Sequence, residues 1–522
     1  MFLTTWLENA AHRYPEAEAI IENGRRLTYA QWNLRVNRVA DALAQLGIRR
    51  GDRVALCAAN SEAMATMFFA VIKNGAVAVP LNTRWKAGEL AYAFADANVR
   101  AVFFDLHASD VVNEALVHYS HPTLKICTAE AAAVNENAYP FEQLASPAKP
   151  NDPNRNGLNR RVDITDTATI LYTSGTLGKP KGVPRSHLND FSGILAMIVA
   201  HGWTMFERTL IVMPFYHVMG LHTLLAMVAL NGTSVIEPKF TPAGAVRAIR
   251  DERLSALYLV PTAFHDLVAY IEANGGLKTS VLKLAYAGAP MSERLIATCR
   301  AVFRPQVFVN HYGCTEAQII SAHPGVHNKP GSAGRPALNS RIRIVTADSS
   351  RRVSPDEVVP TGVPGEVIVA ASSPQIFSGY LHRPDATERA LRDGWYFTGD
   401  LGVFDADGDL HIIGRVDDMI VCGGENIHPA EVETVLRQHP GVRDVAVAGL
   451  PDKRWGQIVT AFIVPADPEL SSETLDEFCL SHTELARFKR PRRYIFVSSI
   501  PRTPTGKVLR SHLRSGLYHT LR

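Results

Sequence analysis

Hydrophobic residues in the first 340 positions alternate between helical spacing and short apolar runs. Segment 27–48 (LTYAQWNLRVNRVADALAQLGI) places apolar residues three or four positions apart, which predicts an amphipathic helix. The runs RVALCAA (53–59) and AVAVPLN (76–82) are typical of buried strands. Because alternating strands and helices cover a parallel sheet with helices, this region is predicted to be α/β.

The pattern changes after residue 340, where RIRIV, GEVIVA and GDLHIIG are separated by glycine, proline and aspartate. Short strands with such turns predict an antiparallel, barrel-like unit. The stretch FDADGDL (404–410) is interpreted as a hairpin turn, because an EF-hand calcium loop needs its glycine at the sixth position. From about residue 418, the order helix, strand, strand, helix predicts a small α+β domain.

Composition narrows the class of protein. Hydrophobic residues make up 46% of the chain and charged residues 20%, which is ordinary for globular proteins. The 54 basic and 51 acidic residues give a net charge of +3, so no overall basic field favours a nucleic-acid partner. The N-terminus lacks the pattern of a signal peptide, and no apolar stretch approaches the ~18 residues of a membrane helix. Six scattered cysteines without a C-x-x-C pair fit a reducing compartment. We therefore expect a cytoplasmic protein without stable membrane insertion.

The strongest local candidate for chemistry is ILYTSGTLGKPKGV (170–183), in which a buried strand runs into a loop rich in glycine, hydroxyl and lysine residues. Small residues let backbone amides close on phosphate oxygens, and hydroxyls and lysines add donors. A Walker P-loop needs four residues between its glycines, whereas two separate Gly175 from Gly178, so that motif is excluded.

The last 36 residues hold ten lysines and arginines and no acidic residue. Two interpretations stay open, a solvated basic tail and a surface that meets a polyanionic ligand.

Further motifs follow in order along the chain: MPFYHVMGL (213–221), YAGAPMS (286–292), NHYGCTEA (310–317), GWYFTGDLG (394–402), GRVDDMIVCGGENIHPAEVE (414–433) and PRTPTGKVLR (501–510). In this order they resemble the core motifs of the adenylate-forming acyl-CoA synthetases. The C-terminal residues GRVDDMI, GGENIHP and FKRP resemble aryl-CoA ligases of the halobenzoate type. The resemblance covers nearly the whole chain.

The resemblance implies an AMP-forming acid–thiol ligase. A carboxylate would attack the α-phosphate of ATP to give an acyl-adenylate and pyrophosphate, and the thiol of coenzyme A would then displace AMP. The implied cofactors are ATP, Mg²⁺ and coenzyme A, and the implied substrate is a small carboxylic acid of the benzoate type. A medium-chain fatty acyl-CoA synthetase, an enzyme that loads a carrier-protein thiol and a nucleotide-binding paralogue without turnover stay open as alternatives. A homodimer is left open as the assembly.

The same resemblance, with the hydrophobic pattern, implies an α/β fold of two parts. The large multi-layer N-terminal domain would span 1–415, with two doubly wound αβα subdomains at about 1–165 and 166–340 and a small β-barrel subdomain at about 341–415. A mobile α+β domain would span 416–522, with its hinge near Asp417.

The implied nucleotide site combines a phosphate loop, an adenine pocket and a ribose carboxylate. Thr176 and Glu316 would hold Mg²⁺, and Glu316 is also an implied catalytic residue. Leu177 stands where the family usually has a hydroxyl, and its effect on phosphate binding is left open. The implied residues are Thr173, Ser174, Gly175, Thr176, Gly178, Lys179, Lys181, Ala287, Gly288, Ala289, His311, Tyr312, Gly313, Thr315, Asp400, Ile412 and Arg415.

Lys507 matches the catalytic lysine of the family, which would bridge the substrate carboxylate and the α-phosphate. Gly423 and Gly424 would leave room for the pantetheine arm. The implied residues for the nucleotide of coenzyme A are Arg84, Trp455, Phe488, Arg490 and Arg492.

His217 is implied both as a catalytic residue and as part of the acyl pocket. His311 stands where the aryl ligases have an apolar residue, and we hypothesise that it meets a polar substituent on the substrate ring. The full set implied for the pocket is His217, Val218, Met219, Tyr258, His311, Gly313 and Ile319.

Overall fold

The computed structural model describes residues 3–135, 137–146, 162–173, 180–348, 351–422, 425–482, 485–503, 506 and 508–521. The chain divides into two compact units. The first comprises residues 1–330, 336–341 and 370–394, and the second comprises residues 331–335, 342–369 and 395–522.

The strands, in chain order, are β1 (Glu18–Glu22), β2 (Arg25–Thr28), β3 (Arg53–Cys57), β4 (Val77–Pro80), β5 (Val99–Phe104), β6 (Leu124–Cys127), β7 (Tyr139–Pro140), β8 (Thr167–Thr173), β9 (Lys181–Ser186), β10 (Arg208–Ile211), β11 (Thr233–Ile236), β12 (Ala256–Leu259), β13 (Lys283–Tyr286), β14 (Val307–Tyr312), β15 (Ser321–His323), β16 (Ser332–Pro336), β17 (Ile342–Val345), β18 (Gly365–Ala370), β19 (Leu391–Arg392), β20 (Trp395–Phe404), β21 (Leu410–Arg415), β22 (Ile420–Cys422), β23 (Glu425–Ile427), β24 (Val442–Asp452), β25 (Gly456–Pro465) and β26 (Arg493–Phe496).

The helices are α1 (Leu3–Arg13), α2 (Tyr29–Gln45), α3 (Glu62–Lys73), α4 (Ala87–Ala97), α5 (Ser109–Val117), α6 (Ala129–Ala132), α7 (Phe141–Ala145), α8 (His187–His201), α9 (Val218–Ala229), α10 (Pro242–Asp251), α11 (Pro261–Ala273), α12 (Glu293–Phe303), α13 (Pro384–Ala390), α14 (Pro429–Leu436), α15 (Ser472–Ser481) and α16 (Arg510–Arg514), with a 3₁₀ turn at Val416–Asp418. Within the ranges that the structure describes, no helix combines the length and the apolar composition that crossing a membrane requires.

Two sheets form the frame of the first unit. One has the order β7-β6-β5-β3-β4-β8-β9, and its pairings are parallel except that of β8 with β9. The other has the order β2-β1-β11-β10-β12-β13-β14-β15 and is parallel from β1 to β14. The predicted α/β fold is confirmed.

Strands β1 and β2 come from the N-terminal region but pair in the sheet of the later strands. Ile20 lies opposite Ser234 and Ile21 opposite Val235 in a parallel pairing. Both isoleucines are buried, so this pairing removes apolar surface from water. Strands from the first 165 residues therefore occur in both sheets, and the subdomain boundary proposed at about residue 165 stays a prediction.

The helix predicted at 27–48 is α2, and it begins at Tyr29 because its N-terminus is capped. The Thr28 hydroxyl accepts a hydrogen bond from the Gln31 N–H, and the Gln31 side chain accepts one from the Thr28 N–H. This capping box satisfies donors that the first helical turn leaves unpaired. The same arrangement, with Ser186 and Asn189, begins α8 where β9 ends.

Strand β9 is absent from the sequence-based prediction because Pro184 interrupts its pattern. Pro184 lies opposite Ile170 of β8, and β9 is the last strand in the order of its sheet. Proline lacks the N–H that a central strand donates, so an edge position tolerates it. The segment between β8 and β9, which contains the predicted phosphate loop, thus joins two antiparallel neighbours.

The second unit is mainly antiparallel, which was predicted for its strands between residues 340 and 415. Its strands follow the orders β17-β18-β20-β21-β16 and β23-β22-β25-β24, with β26 beside β25. The predicted hairpin at FDADGDL is confirmed, since Phe404 lies opposite Leu410. Asp405 Oδ1 accepts hydrogen bonds from the N–H groups of Asp407 and Asp409, each at 3.0 Å. Closure of these strands into a barrel stays a prediction.

Helix α9 packs very closely on the segment that precedes it. A Cβ atom at Gly220 would lie 2.1 Å from the carbonyl oxygen of Met213 and 2.4 Å from that of Pro214. Both atoms belong to the backbone, so a side chain here would displace the main chain just before His217.

We expect Gly220→Ala to lower the melting temperature, because forcing an extra group into packed backbone costs about 1–3 kcal/mol. The matched control is Gly88→Ala in α4, where a Cβ atom meets nothing within 4 Å. Alanine there should be neutral or stabilise by up to about 1 kcal/mol. Thermal unfolding followed by circular dichroism measures both, and equal melting temperatures for Gly220→Ala and the native chain would contradict the expectation.

Candidate active site

The predicted adenine residues lie at one edge of the second sheet of the first unit. Strands β13 and β14 are parallel neighbours, with Tyr286 opposite Asn310, so both end at the same edge. Segment 287–289 follows β13, and Tyr312 ends β14. Gly288 has φ +87°, a conformation that favours glycine. In open α/β sheets, ligands bind outside the carboxyl ends of the strands, which is where these residues lie.

Glu316, the predicted metal ligand, is held through both its side chain and its main chain. It is 8% exposed. The Tyr380 hydroxyl donates a hydrogen bond to Glu316 Oε1 at 2.8 Å, and the Phe377 N–H donates one to the Glu316 carbonyl oxygen at 2.9 Å. The ammonium of Lys181 lies 4.2 Å from the centroid of the Tyr380 ring. Tyr380 therefore connects the predicted metal carboxylate with a predicted phosphate-binding lysine.

Tyr380 is a site residue that sequence reasoning missed. It stands in SGYLHRP, between the motifs that carry the family resemblance, and neither periodicity nor spacing marks it. Only the hydrogen bond to Glu316, 64 residues away in the chain, shows its place.

The two ends of the predicted phosphate loop lie side by side. Thr173 ends β8 and lies opposite Lys181, which begins β9. The loop thus leaves the sheet and returns to it at one point. The other residues predicted for it lie outside the described residues: Ser174, Gly175, Thr176, Leu177, Gly178 and Lys179.

The turn that carries Thr315 and Glu316 requires a glycine at its start. A Cβ atom at Gly313 would lie 1.7 Å from the carbonyl oxygen of Gln318. The Gln318 N–H donates a hydrogen bond to the Cys314 carbonyl oxygen at 2.7 Å, and Gln318 has φ +58°. Gly313 was predicted as a binding residue, and the structure gives it a packing role in addition.

His217, which precedes α9, is brought close to Arg84. Burial, and then the charge of Arg84, lower the pKa of His217 to about 4, so the ring is neutral at pH 7. Its Nε2 atom is buried and has no hydrogen-bond partner among the described residues. Arg84 is exposed, and its N–H donates a hydrogen bond to Asn82 Oδ1 at 3.0 Å.

The remaining residues predicted for the acyl pocket are apolar contacts. Val218 and Met219 begin α9 and pack against the core cluster that contains Tyr258. Ile319 is fully buried and belongs to a smaller cluster with Ala196 and Ala337. The structure therefore places Val218, Met219 and Tyr258 around one cluster and Ile319 in another.

Tyr258 and His311 form a stacked pair, with ring centroids 5.5 Å apart and planes 24° apart. His311 Nδ1 lies 3.1 Å from Nε2 of His201, and His311 Nε2 lies 3.4 Å from the Gln318 carbonyl oxygen. Because a carbonyl only accepts, we assign the proton of His311 to Nε2, and His201 then donates to Nδ1. Both nitrogens of His311 thus have protein partners, and its contact with a substrate substituent stays a prediction.

His201 is a second residue that sequence reasoning missed. It lies in the last turn of α8, where its spacing is that of an ordinary core position.

In the second unit, the predicted ribose residues form a cross-strand ion pair. Asp400 of β20 lies opposite Arg415 of β21, and Arg415 Nη1 donates to Asp400 Oδ1 at 2.7 Å. The same nitrogen donates to the Thr398 carbonyl oxygen at 2.8 Å. Burial by itself would lower the pKa of the Arg415 guanidinium. The neighbouring Asp400 carboxylate has the larger effect, so the pKa is raised. Ile412 lies on the same strand and is half-buried.

Comparison with known proteins places this geometry in a family. The AMP-binding enzyme family matches residues 7–381, and the AMP-binding enzyme C-terminal domain matches residues 431–507. A 4-chlorobenzoate–CoA ligase of an Arthrobacter species is 35% identical, over 99% of this chain and 94% of that protein. A long-chain fatty-acid–CoA ligase of Mycobacterium tuberculosis is 33% identical, over 96% and 95%. The structure of o-succinylbenzoate–CoA synthetase from Bacillus subtilis with its acyl-adenylate intermediate is 28% identical and has a TM-score of 0.81, covering 98% and 97%.

The chain belongs to the AMP-binding enzyme family. The predicted resemblance to adenylate-forming acyl-CoA synthetases is confirmed, and so is the predicted class of enzyme, an AMP-forming acid–thiol ligase. ATP is the nucleotide with which this family forms adenylates.

The coenzyme A residues predicted in the C-terminal part of this AMP-binding enzyme include two exposed aromatic rings. Trp455 lies in the short connection between β24 and β25, where its N–H donates to Asp452 Oδ1 at 2.8 Å, and it is 39% exposed. Phe488 is 43% exposed. Arg490 pairs with Asp476 at 2.6 Å, whereas the side chain of Arg492 is exposed.

The predicted hinge residue, Asp417, is exposed and lies in the 3₁₀ turn Val416–Asp418. Gly423, Gly424 and the predicted catalytic Lys507 lie outside the described residues.

The buried histidines of the first unit make its stability depend on pH. His187 and His311 are 1% and 6% exposed, and burial lowers the pKa of each to about 4. In the unfolded chain the value is about 6.5. Between pH 6.5 and 4 the unfolded chain therefore binds protons that the native chain does not, and stability falls as the pH falls.

We expect the melting temperature to decrease between pH 7 and pH 5, and to decrease less steeply in His311→Leu, which removes one of these groups. Scanning calorimetry at several pH values measures the slope. The slope, unlike the absolute melting temperature, is insensitive to packing changes made by the substitution. A slope identical to that of the native chain would show that His311 does not contribute.

Proposed function

We propose that this ligase converts a benzoate-like aromatic acid into its coenzyme A thioester through an acyl-adenylate. The observation that carries the aromatic assignment is the stacked pair Tyr258–His311, two flat rings among the residues predicted to line the acyl pocket. Aromatic faces and edges favour contact with a further ring. The 4-chlorobenzoate and o-succinylbenzoate enzymes among the relatives support the same class of substrate.

The acid would lie beside His217, whose buried Nε2 atom offers a hydrogen-bonding group without a protein partner among the described residues. Val218 and Met219 supply apolar surface next to it. A neutral imidazole and apolar side chains suit an uncharged ring.

ATP would bind with its adenine between Tyr312 and the backbone of 287–289, and with its β- and γ-phosphates in the loop between Thr173 and Lys181. Asp400 would accept hydrogen bonds from the two ribose hydroxyls. The ion pair with Arg415 supports this role, because it holds the carboxylate in one orientation.

The Glu316 carboxylate fits a magnesium ligand. Tyr380 donates to Oε1, and Oε2 has no hydrogen-bond donor among the described residues, which leaves one oxygen for a hard cation. With Thr176, Glu316 would hold Mg²⁺ between the phosphates. The ion would offset negative charge on the departing pyrophosphate.

Lys507 would reduce the repulsion between the substrate carboxylate and the α-phosphate during the first step. In the second step, coenzyme A would approach past Gly423 and Gly424, with the C-terminal domain turning about Asp417. Arg84, Arg490 and Arg492 would bind its phosphates, and the exposed rings of Trp455 and Phe488 would stack on its adenine. This reaction needs neither a nucleic-acid partner nor membrane insertion, and we place it in the cytoplasm.

The fatty-acid–CoA ligase among the relatives keeps a medium-chain fatty acid as the second candidate substrate. A carrier-protein thiol in place of coenzyme A, and a paralogue without turnover, are separated from these by the following experiment.

Pyrophosphate release with ATP and Mg²⁺ should depend on both the acid and coenzyme A. The panel would contain substituted benzoates, cinnamates, arylacetates and C4–C12 fatty acids, each with and without coenzyme A. Coenzyme A-dependent turnover with benzoates above all fatty acids supports the proposal. A preference for fatty acids contradicts the aromatic assignment, release independent of coenzyme A points to carrier loading, and silence with retained ATP binding points to the paralogue.

Lys507→Ala should reduce adenylation by about 10²–10³-fold, the usual loss when one donor to developing negative charge is removed. It should leave thioester formation from supplied acyl-adenylate unchanged, because that step does not form the bond to the α-phosphate. Single-turnover assays of each half-reaction measure the two effects. Lys278→Ala, an exposed lysine of the first unit, serves as the control. Equal loss in both half-reactions of Lys507→Ala would contradict the assigned role.

A further inference from the structure

A buried ionic cluster lies next to the turn that carries Glu316. Arg185 of β9 is 0% exposed, and its Nε donates a hydrogen bond to Asp190 Oδ1 at 2.5 Å. Asp190 is also 0% exposed, and the same carboxylate oxygen lies 3.1 Å from Nε2 of His222. Because Asp190 is held ionised by Arg185 and His222, its pKa lies below the usual range despite burial. A guanidinium and a carboxylate are thus withdrawn from water together.

The rest of the Arg185 guanidinium binds two segments that contact Glu316, the turn that precedes it and the segment around Gln375. Nη1 donates to the Thr315 carbonyl oxygen at 2.6 Å, and Thr315 directly precedes Glu316. Nη2 lies 3.4 Å from the Gln375 carbonyl oxygen, at the start of the segment that leads to Phe377 and Tyr380. Nη2 also lies 3.4 Å from Gln318 Oε1.

Burial of this ion pair needs a reason beyond stability. Desolvating two charges costs several kcal/mol, and well-packed apolar residues in their place are often neutral or stabilising. What an apolar side chain does not supply is a rigid, planar set of donors that reaches three acceptors at once. Here those acceptors are Asp190 and the carbonyl oxygens of two segments that both contact Glu316.

We propose that Arg185 is a positioning residue for the Glu316 carboxylate. It fixes the Thr315 and Gln375 carbonyls, and through them the main chain of Glu316 and the Tyr380 segment that donates to its side chain. Asp190 and His222 hold the guanidinium in place. The inference rests on the proposed function, in which Glu316 binds the metal ion.

The test compares Arg185→Lys with Glu316→Gln and with a control. Lysine keeps the positive charge near Asp190, but its single nitrogen lacks the fork that reaches both carbonyls. The matched control is Arg208→Lys in the same unit, where Arg208 pairs with Glu18 and Glu252 and touches no part of the Glu316 turn. Binding of Mn²⁺ to each full-length enzyme, in the presence of a non-hydrolysable ATP analogue, is measured by electron paramagnetic resonance. The Mg²⁺ concentration for half-maximal pyrophosphate release and the KM for the acid are measured in parallel.

We expect Arg185→Lys to weaken Mn²⁺ binding about tenfold, the lower end of the effect of removing a group that orients a metal ligand. The half-saturating Mg²⁺ concentration should rise by a similar factor, while the KM for the acid stays unchanged. Arg208→Lys should change none of the three. Should Arg185→Lys fail to fold, the double variant Arg185→Met/Asp190→Leu removes both buried charges, and the same loss of Mn²⁺ affinity is expected.

Two outcomes separate this inference from the function on which it rests. Native Mn²⁺ affinity in Arg185→Lys, together with weakened binding in Glu316→Gln, would overturn the positioning role and leave the metal role of Glu316 intact. Native affinity in Glu316→Gln would overturn both. A rise in the KM for the acid as large as the loss of metal affinity would show general distortion of the unit and would also overturn the inference.

Discussion

A guanidinium that is fully withdrawn from water must find its countercharge and its hydrogen-bond acceptors within the protein, and Arg185 is in this position. Its partners come from α8, from the turn before Glu316 and from the segment around Gln375, which lie up to 190 residues from Arg185 in the chain. Because each unmade hydrogen bond in such a place costs about 1–3 kcal/mol, the three segments are held together. The position of Glu316 in the first unit follows from this requirement.

Close approach of backbone segments is the second condition for the site. A Cβ atom at Gly313 would collide with the Gln318 carbonyl oxygen at 1.7 Å, and one at Gly193 of α8 would lie 1.5 Å from the Gln318 side chain. The glycine at 313 therefore lets the turn that presents Glu316 close on itself, and the glycine at 193 leaves room on α8 for the Gln318 side chain. Glycine here serves packing as much as conformational freedom.

Charge is distributed unevenly over the predicted site residues of the first unit. The histidines predicted for the acyl side, His217 and His311, have lowered pKa values because they are buried, and they are neutral at pH 7. On the side predicted for phosphates and metal, Lys181 and Glu316 both contact Tyr380, the lysine at the face of the ring and the carboxylate at the hydroxyl. Neutral groups suit an apolar acid, and charged groups suit ATP and a cation, so the electrostatics agree with the reaction class that the family shares.

The helices, the α/β order and the class of reaction could be predicted from local sequence, whereas the long-range contacts of the site could not. Helical spacing located α2, alternating apolar runs indicated the α/β order, and the ordered motifs indicated the class of reaction. The Thr28–Gln31 cap, seen in the structure, explains where α2 begins. Periodicity and capping depend on residues a few positions apart, so they leave a local pattern. Strand β9 around Pro184 and the partnerships of Tyr380, His201 and Arg185 leave none, because each depends on an edge position or on a side chain from a distant segment. Such contacts exist only after the sheets and α8 have assembled, so only the tertiary structure shows them.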